Sequence, residues 1–369
     1  MKARVEKVFG HLDPKPEALL LANSVDPHLD GSFFYLFDVP SGLFEGSVAV
    51  AYPDGNLDVL SSPLEATSAH LAAKTDRHLT VHVPTSREES DATLHKLLDS
   101  KASVGMNYQE LTHQQFLRFE KMFPSVRWVD ASSAIKRARV TKDAEELGRL
   151  QKAADIGSAV AREIPGMLEE NMTELALATE MNYRMMKHGA SGPSFSTIVG
   201  FGPNGAEPHY FAGGRKLQSG DSMVCDFGAF YRRYASDITR SFHFGKRDDE
   251  MKRVHELVEE AQQAALAVLR PGVPGKDVHN AAAKVIDASP YKGKFMHGLG
   301  HSIGLNVHDG WGMNQLVEEP IEEGMAITIE PGIYLSGHGG VRIEDDVVVT
   351  KDGYRFLTTA PRGYLEVSA

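Results

Sequence analysis

Four acidic residues end apolar, strand-like segments in the C-terminal part of the chain. Asp226 ends one such segment, and Asp237 follows eleven residues later, at a spacing that a hairpin could close. Glu330 and Glu344 each end a further apolar run. An acid at the buried end of a strand is costly unless it is paired or binds a metal. Because four such acids repel one another, bound cations are the simplest way to hold them in one fold.

A glycine-rich segment adds imidazoles to these carboxylates. His301 ends the run His297-Gly-Leu-Gly-His301, where the backbone can approach a ligand closely. Four carboxylates and one imidazole meet the coordination needs of two divalent ions, especially if two acids bridge them. Taken singly, each acid is more often a cap, turn or surface residue. The metal interpretation therefore depends on all five positions together.

Composition narrows the class of protein. The chain has 369 residues, a length that predicts about two domains, and its 42% hydrophobic and 24% charged residues are ordinary for a soluble globular protein. Acidic residues outnumber basic ones by 50 to 39, which argues against nucleic acid or a basic membrane-surface role. We expect neither nucleic acid nor a membrane as a partner.

Cysteine usage and the N-terminus both predict a cytoplasmic location. Cys225 is the only cysteine, so neither an intrachain disulfide nor a cysteine-based zinc site can form. Residues 1–12 lack the apolar core of a signal peptide, and no apolar run reaches the ~18 residues of a membrane helix. Cys225 itself lies in an apolar strand, where packing is the expected role.

The first part of the chain predicts a small α/β domain, residues 1–138. The Asp54-Gly55 pair predicts a hairpin between residues 47–52 and 56–60. Apolar segments of strand length and helical periodicity surround it. The other predicted strands are 18–22, 33–39 and 126–129, and the predicted helices are 91–100 and 113–123.

The second part, residues 139–369, alternates long helices with strands. Asp143 and Glu146 stand at capping-box spacing at the start of the first helix. Amphipathic periodicity predicts the helices, and short apolar runs predict the strands. The predicted helices are 145–163, 173–188 and 250–269, and the clearest strands are 222–227 and 326–329.

The five candidate ligands resemble those of a known family. In order and with their flanks, they are similar to the metal-ligand set of the pita-bread metallopeptidases, which include methionine aminopeptidase, proline dipeptidase and aminopeptidase P. The five are Asp226, Asp237, His301, Glu330 and Glu344. The resemblance covers residues from about 141 onward. It implies an α+β fold, with a C-terminal pita-bread domain after a creatinase-like N-terminal α/β domain.

A preceding domain of this kind is typical of the proline-specific branch, so the whole chain resembles an Xaa-Pro peptidase. The resemblance implies two divalent metal ions, Mn²⁺ first, with Co²⁺, Fe²⁺ or Zn²⁺ as alternatives. Asp226 would bind one ion, His301 and Glu330 the other, and Asp237 and Glu344 both. Water activated by the metals would attack the scissile carbonyl, with Glu330 moving the proton to the leaving proline nitrogen.

Four further residues fit the family pattern. His209 and His308 resemble the imidazoles that contact substrate and stabilise the tetrahedral intermediate. His297 resembles a histidine that contacts the metal ligands and does not bind the metals itself. Arg342 resembles an arginine that orients the acidic site, the alternative being a surface arginine on a strand.

One departure from the family bears on substrate length. Proline dipeptidases place an arginine after the histidine equivalent to His308, where it holds the free carboxylate of the dipeptide. Residues 309–320 contain neither Arg nor Lys, which favours longer peptides with proline in second position, although Arg342 or a residue of another subunit could substitute. The resemblance also implies a homodimer in which the first domain of one subunit helps to close the site of its partner.

Other functions stay open at this point. One is an aminopeptidase without strict proline preference. Another is a non-catalytic pita-bread binding module, and a third is a creatinase-like C–N hydrolase that works without metal. The survival of all five ligands disfavours the last two.

Overall fold

The computed structural model describes residues 1–368, and the chain divides into two compact units, Met1–Arg139 and Val140–Ala369. Each unit mixes helices and sheets, as the α+β expectation requires. Within residues 1–368, no helix is both long and apolar enough to cross a membrane.

A mixed six-stranded sheet forms the centre of the first unit, in the order β4-β3-β2-β1-β5-β6. Its central strand β1 pairs antiparallel with β2 and parallel with β5. The strands are β1 Ala18–Ala22, β2 Val48–Ala51, β3 Leu57–Leu60, β4 Leu79–His82, β5 Ser103–Met106 and β6 Arg127–Asp130. The predicted hairpin is confirmed, because β2 and β3 pair antiparallel around Asp54-Gly55, with Gly55 at φ 87°.

Helices cover this sheet and bury its apolar side chains. The core joins strand residues such as Leu20 and Val50 to helix residues such as Leu94 and Phe119. The helices are α1 Lys2–Gly10, α2 Gly31–Phe37, α3 Ala66–Thr75, α4 Arg87–Leu98, α5 His113–Met122 and α6 Ser132–Val140, with a 3₁₀ turn at Pro63–Glu65.

The predicted strand 33–39 is wrong, because this segment lies in helix α2. Asp30 caps the helix by accepting the backbone N–H of Ser32, and Asp38 ends it in the left-handed conformation. Every residue of α2 is buried. A helix buried on all sides shows no polar face, so its apolar run resembles a buried strand.

Four long helices belong to the second unit. The predicted capping box is confirmed, since Asp143 accepts the Glu146 N–H and Glu146 accepts the Asp143 N–H, both at 2.9 Å. The helices are α7 Ala144–Glu163, α8 Glu174–Lys187, α9 Asp249–Val268 and α10 Gly275–Asp287, with 3₁₀ turns at Ile164–Met167 and Gly202–Ala206.

Several small sheets meet these helices. The largest runs β20-β12-β9-β8, and a second runs β15-β18-β19. The strands are β7 Gly192–Pro193, β8 Ile198–Phe201, β9 Ser222–Phe227, β10 Ala229–Tyr231, β11 Tyr234–Ala235, β12 Ile238–Phe244, β13 Gly300–His301, β14 Gly312–Met313, β15 Ala326–Ile329, β16 Gly332–Leu335, β17 Gly339–Arg342, β18 Asp345–Thr350, β19 Gly353–Phe356 and β20 Glu366–Val367.

Two hydrophobic clusters hold the second unit together. One packs α9 and α10 against β15–β18, for example through Val258, Ile286 and Ile327. The other packs α7 and α8 against β8, β9 and β12, for example through Val160 and Phe227.

Candidate active site

The first two acids are brought together by an antiparallel strand pair. Strand β9 carries Asp226 opposite Thr239 of β12, and Asp237 immediately precedes β12. The backbone N–H of Asp237 donates to Asp346 at 2.9 Å, which fixes the start of the strand. The hairpin expected from the eleven-residue step therefore places both carboxylates at the same end of the sheet.

The second two acids follow the same plan. Glu330 comes directly after β15, and Glu344 directly before β18, and these strands pair so that Ile329 faces Asp345. A hydrogen bond links the two sheets, because the Thr239 hydroxyl donates to Glu344 at 2.6 Å. Each predicted acid thus lies next to the end of a strand, and strand pairing brings these ends to one side of the fold.

Histidine His301 reaches this cluster from the short strand β13. Its Nε2 lies 3.6 Å from Asp237 Oδ2 and 3.4 Å from Glu330 Oε1. The preceding glycine is required by packing, because a Cβ at Gly300 would collide with the carbonyl oxygen of Thr328. The Thr328 hydroxyl in turn accepts the His301 backbone N–H at 3.0 Å.

All nine site residues named from the sequence line one cavity of about 330 Å³. Phe195, Ile198 and Val307 supply its apolar surface. The site residues are His209, Asp226, Asp237, His297, His301, His308, Glu330, Arg342 and Glu344. The structure thus gathers residues that the sequence spreads over the whole second unit.

Three carboxyl groups in this cavity, those of Asp237, Glu330 and Glu344, resist ionisation. Burial raises the pKa of Asp237 well above its ordinary value, and the nearby Glu344 and Asp226 raise it further. Burial likewise raises the pKa of Glu344, and that of Glu330 to about 8. The cluster therefore needs positive charge for all its acids to ionise near neutral pH.

Burial favours the neutral form of three imidazoles, those of His297, His301 and His308. Burial lowers the pKa of His301 to about 4, with His308 adding to the effect, and the two rings lie 4.2 Å apart between centroids. Burial and the Arg342 charge lower the pKa of His297 to about 4. Neutral imidazoles can bind a metal or donate one N–H, so these rings are in the form that either role requires.

Arg342 is buried, 3% exposed, and not a surface arginine. Its Nη2 donates to Asp226 at 2.5 Å, and its Nη1 donates to the Tyr334 hydroxyl at 2.7 Å. Its Nε donates to the Thr239 hydroxyl at 3.0 Å. Since Thr239 holds Glu344, one guanidinium orients acids on two sheets.

The donor set fits divalent metal ions. Asp237, His301 and Glu344 each offer a ligand atom, and these atoms all lie within 4.8 Å of one another. Among residues 1–368, the buried Oδ1 atoms of Asp226 and Asp237 have no hydrogen-bond partner, a costly state that a bound cation would relieve. Carboxylate oxygens with one imidazole suit Mn²⁺, Fe²⁺, Co²⁺ or Zn²⁺.

Sequence reasoning missed several residues that support this site. Lys142 is buried, and its Nζ donates to the Ser302 hydroxyl at 3.0 Å and lies 3.6 Å from Asp309. Ser302 follows His301 and Asp309 follows His308, so one lysine contacts the side chain next to each of these two histidines. Asp346 was missed as well. Lys142 and Asp346 were both missed because each contacts a residue that is distant in sequence.

Comparison with known proteins agrees with this geometry. Residues 148–351 match metallopeptidase family M24, and residues 30–141 match the creatinase/prolidase N-terminal domain. The chain belongs to metallopeptidase family M24. Its M24 membership confirms the predicted family, the pita-bread fold of the second unit and peptidase activity.

Several M24 relatives align along nearly the whole chain. A protein from Pyrococcus furiosus named Xaa-Pro dipeptidase is 31% identical over 99% of this chain and 100% of its own length. The structure of an X-Pro aminopeptidase from Thermotoga maritima has a TM-score of 0.89 at 30% identity, covering 99% of this chain and 100% of that chain. A prolidase from Pyrococcus horikoshii has a TM-score of 0.86 at 29% identity, covering 98% and 99%.

Proposed function

We propose that this M24 peptidase removes the N-terminal residue of peptides that carry proline in second position. The observation that carries the proposal is the convergence of four carboxylates and four imidazoles on one cavity. Relatives that span the whole chain support the proline preference, because they are named Xaa-Pro dipeptidase and X-Pro aminopeptidase.

Two divalent ions fit the proposed site. Asp226 would hold one, His301 and Glu330 the other, and Asp237 and Glu344 both, so that two cations balance four carboxylates. Such ions supply a water that is nucleophilic at neutral pH and polarise the scissile carbonyl. Mn²⁺ is the proposed metal, with Co²⁺, Fe²⁺ or Zn²⁺ as alternatives.

Glu330 is the proposed proton carrier. Its Oε1 accepts the Thr328 hydroxyl at 3.2 Å, whereas no residue among 1–368 hydrogen-bonds its Oε2. A carboxylate held at one oxygen and free at the other can take the proton of the attacking water and return it to the proline nitrogen that leaves.

His209 and His308 are the proposed contacts to the carbonyl oxygen of the scissile bond. Both line the cavity with the acids. An imidazole N–H that is aimed at an oxygen that gains charge stabilises the transition state more than the substrate.

The cavity favours peptides longer than a dipeptide. Arg342 is the one Lys or Arg among the described residues that line it, and its nitrogens are engaged by Tyr334, Asp226 and Thr239. The free carboxylate of a dipeptide would therefore find no uncommitted cation among the residues that line this cavity. An internal peptide bond, which is neutral, needs none.

A second cavity offers room for the rest of a longer peptide. It measures about 580 Å³ and shares His297 and Gly298 with the first cavity. Its lining includes Asn280, Ala283 and Gln315, and among the described residues no Lys or Arg. Since the proposed reaction removes a single residue, any additional residues lie on the leaving side, which we assign to this cavity.

The decisive variant is Glu330→Gln. It should fold as the parent protein does and lose turnover of Xaa-Pro-Yaa tripeptides, because the amide can neither accept the proton nor hold the metal as a carboxylate does. The exposed Glu323→Gln, on the loop before β15, is the matched control and should keep full activity. Undiminished turnover by Glu330→Gln would contradict the mechanism.

We also propose, from the family resemblance, a homodimer in the cytoplasm. Light scattering coupled to size-exclusion chromatography tests the dimer directly, since a monomeric mass of 40.4 kDa would contradict it.

A further inference from the structure

His209 lines the active-site cavity and belongs to segment 201–213, and its ring makes no hydrogen bond to a described residue that would hold it there. No hydrogen bond to that ring forms among residues 1–368, and His209 is an exposed side chain. Its position is therefore set by the backbone on either side. Whatever fixes the two ends of this segment also fixes the backbone position from which the imidazole enters the cavity.

One buried carboxylate holds both ends. Glu174, the first residue of α8, is 0% exposed. Its Oε1 accepts the Phe201 N–H and the Asn204 side-chain amide, both at 2.9 Å. Its Oε2 accepts the Tyr210 hydroxyl at 2.9 Å and the Gly213 N–H at 3.2 Å. Four donors, two from each side of His209, thus converge on a single side chain.

The bonds fit the chemistry of an ionised carboxylate. An ionised carboxylate has about four acceptor positions and no donor, so each of the four groups finds a lone pair. The start of a helix also favours negative charge. A fifth bond, from the Asn204 amide to the Tyr210 hydroxyl at 2.7 Å, ties the donors to one another.

We propose that Glu174 is a positioning residue for His209, a role that rests on the proposed contact of His209 with substrate. It acts by clamping the flanks of segment 201–213, so that the imidazole stands at a fixed place in the cavity. Glutamine cannot replace it. In Glu174→Gln, the side-chain NH₂ group would face the backbone N–H of Gly213 or of Phe201. The two donors would repel, and that buried backbone N–H would lose its hydrogen-bond acceptor.

The test is a double-mutant cycle on the full-length protein. Glu174→Gln should lower kcat for an Xaa-Pro-Yaa tripeptide about tenfold, because small misplacements of a catalytic group are costly. In the His209→Ala background the same substitution should have almost no further effect, because the group that it misplaces is gone. Equal, multiplying losses in both backgrounds would show a merely structural role and overturn the proposal.

Two additions keep the result interpretable. Glu180→Gln, a partly exposed position on the same helix that pairs with Arg184, should leave kcat unchanged. Tyr210→Phe removes one of the four donors and should give a smaller loss of kcat, which should again almost vanish in the His209→Ala background. This variant replaces Glu174→Gln in the cycle if Glu174→Gln folds poorly.

A second measurement separates this proposal from the proposed reaction. The C2–H resonance of His209, assigned by its loss in His209→Ala, should shift or broaden in Glu174→Gln and stay in place in Glu180→Gln. An unchanged resonance in Glu174→Gln would overturn the positioning role, even if the enzyme is active. Absence of Xaa-Pro cleavage by the parent protein would instead contradict the proposed function alone.

Discussion

Arg342 donates from Nη2 to Oδ2 of Asp226 at 2.5 Å, with both side chains buried. The contact leaves Oδ1 of Asp226 without a partner among residues 1–368 and so available to a metal ion. A charge-assisted bond of this kind is short and directional, and it fixes the orientation of the carboxylate. Arg342 thus sets which oxygen of the ligand stays open.

Replacing this arginine should weaken metal binding. In Arg342→Met, Asp226 and Thr239 lose their donor, and losing a residue that orients a metal ligand costs about 10–100-fold in metal affinity. Titration calorimetry of the metal-free protein with Mn²⁺ should show that loss. The exposed Arg355→Met, on β19, is the matched control and should bind as the parent does. Unchanged affinity in Arg342→Met would show that the contact does not orient a ligand.

The stability of the chain should fall as pH rises past the pKa of one buried carboxyl. Burial raises the pKa of Asp30 from 3.8 to about 6, even though the Ser32 hydrogen bond lowers it. Since the native state prefers the neutral acid, stability is fully present below pH 3.8 and is lost as pH rises through about 6. The shift corresponds to about 3 kcal/mol above that range.

Asp30→Asn should remove this pH dependence. The amide oxygen can still accept the Ser32 N–H, so the cap survives. We expect the variant to have a higher urea midpoint than the parent at pH 8 and a similar one at pH 4. Asp54→Asn, in the exposed turn between β2 and β3, should shift neither. A parent midpoint that does not fall between pH 4 and 8 relative to Asp30→Asn would contradict the prediction.

Filling the second cavity should penalise long substrates alone. Ala283 faces this cavity from α10, whereas Lys284, the next residue, is exposed and outside its lining. Ala283→Trp should lower kcat/KM for Xaa-Pro peptides of four or five residues about tenfold and leave Xaa-Pro dipeptides unaffected. Lys284→Trp should change neither. Equal effects on short and long substrates would contradict our assignment of the cavity.

The acids and His301 were predictable because each carries a local sequence signal, whereas His209, His297, His308 and Arg342 were named from the family resemblance. Acids at the ends of apolar strands, such as Asp226 and Glu330, conflict with burial wherever they stand, and that conflict is visible without knowing their partners. The glycine before His301 marks a close backbone approach in the same way. Each signal lies within a few residues of the ligand that it marks.

The supporting residues were not predictable, because their partners are distant in sequence. Glu174 meets donors 27 to 39 residues away, and Lys142 meets Ser302 160 residues away. At the sequence level Glu174 is an ordinary acid in the first turn of a helix. The predicted secondary structure was wrong where the sequence pattern was ambiguous. In α2, complete burial hides the helical period of apolar residues.

The most direct test of the central claim is a Mn²⁺ titration of the chelated, metal-free protein, read as the rate of hydrolysis of an Xaa-Pro-Yaa tripeptide. We predict no cleavage without metal, activity that saturates at two ions per chain, and no comparable cleavage of the matched Xaa-Ala-Yaa peptide. Cleavage that persists without metal, or that does not distinguish proline from alanine, would contradict a dinuclear Xaa-Pro peptidase.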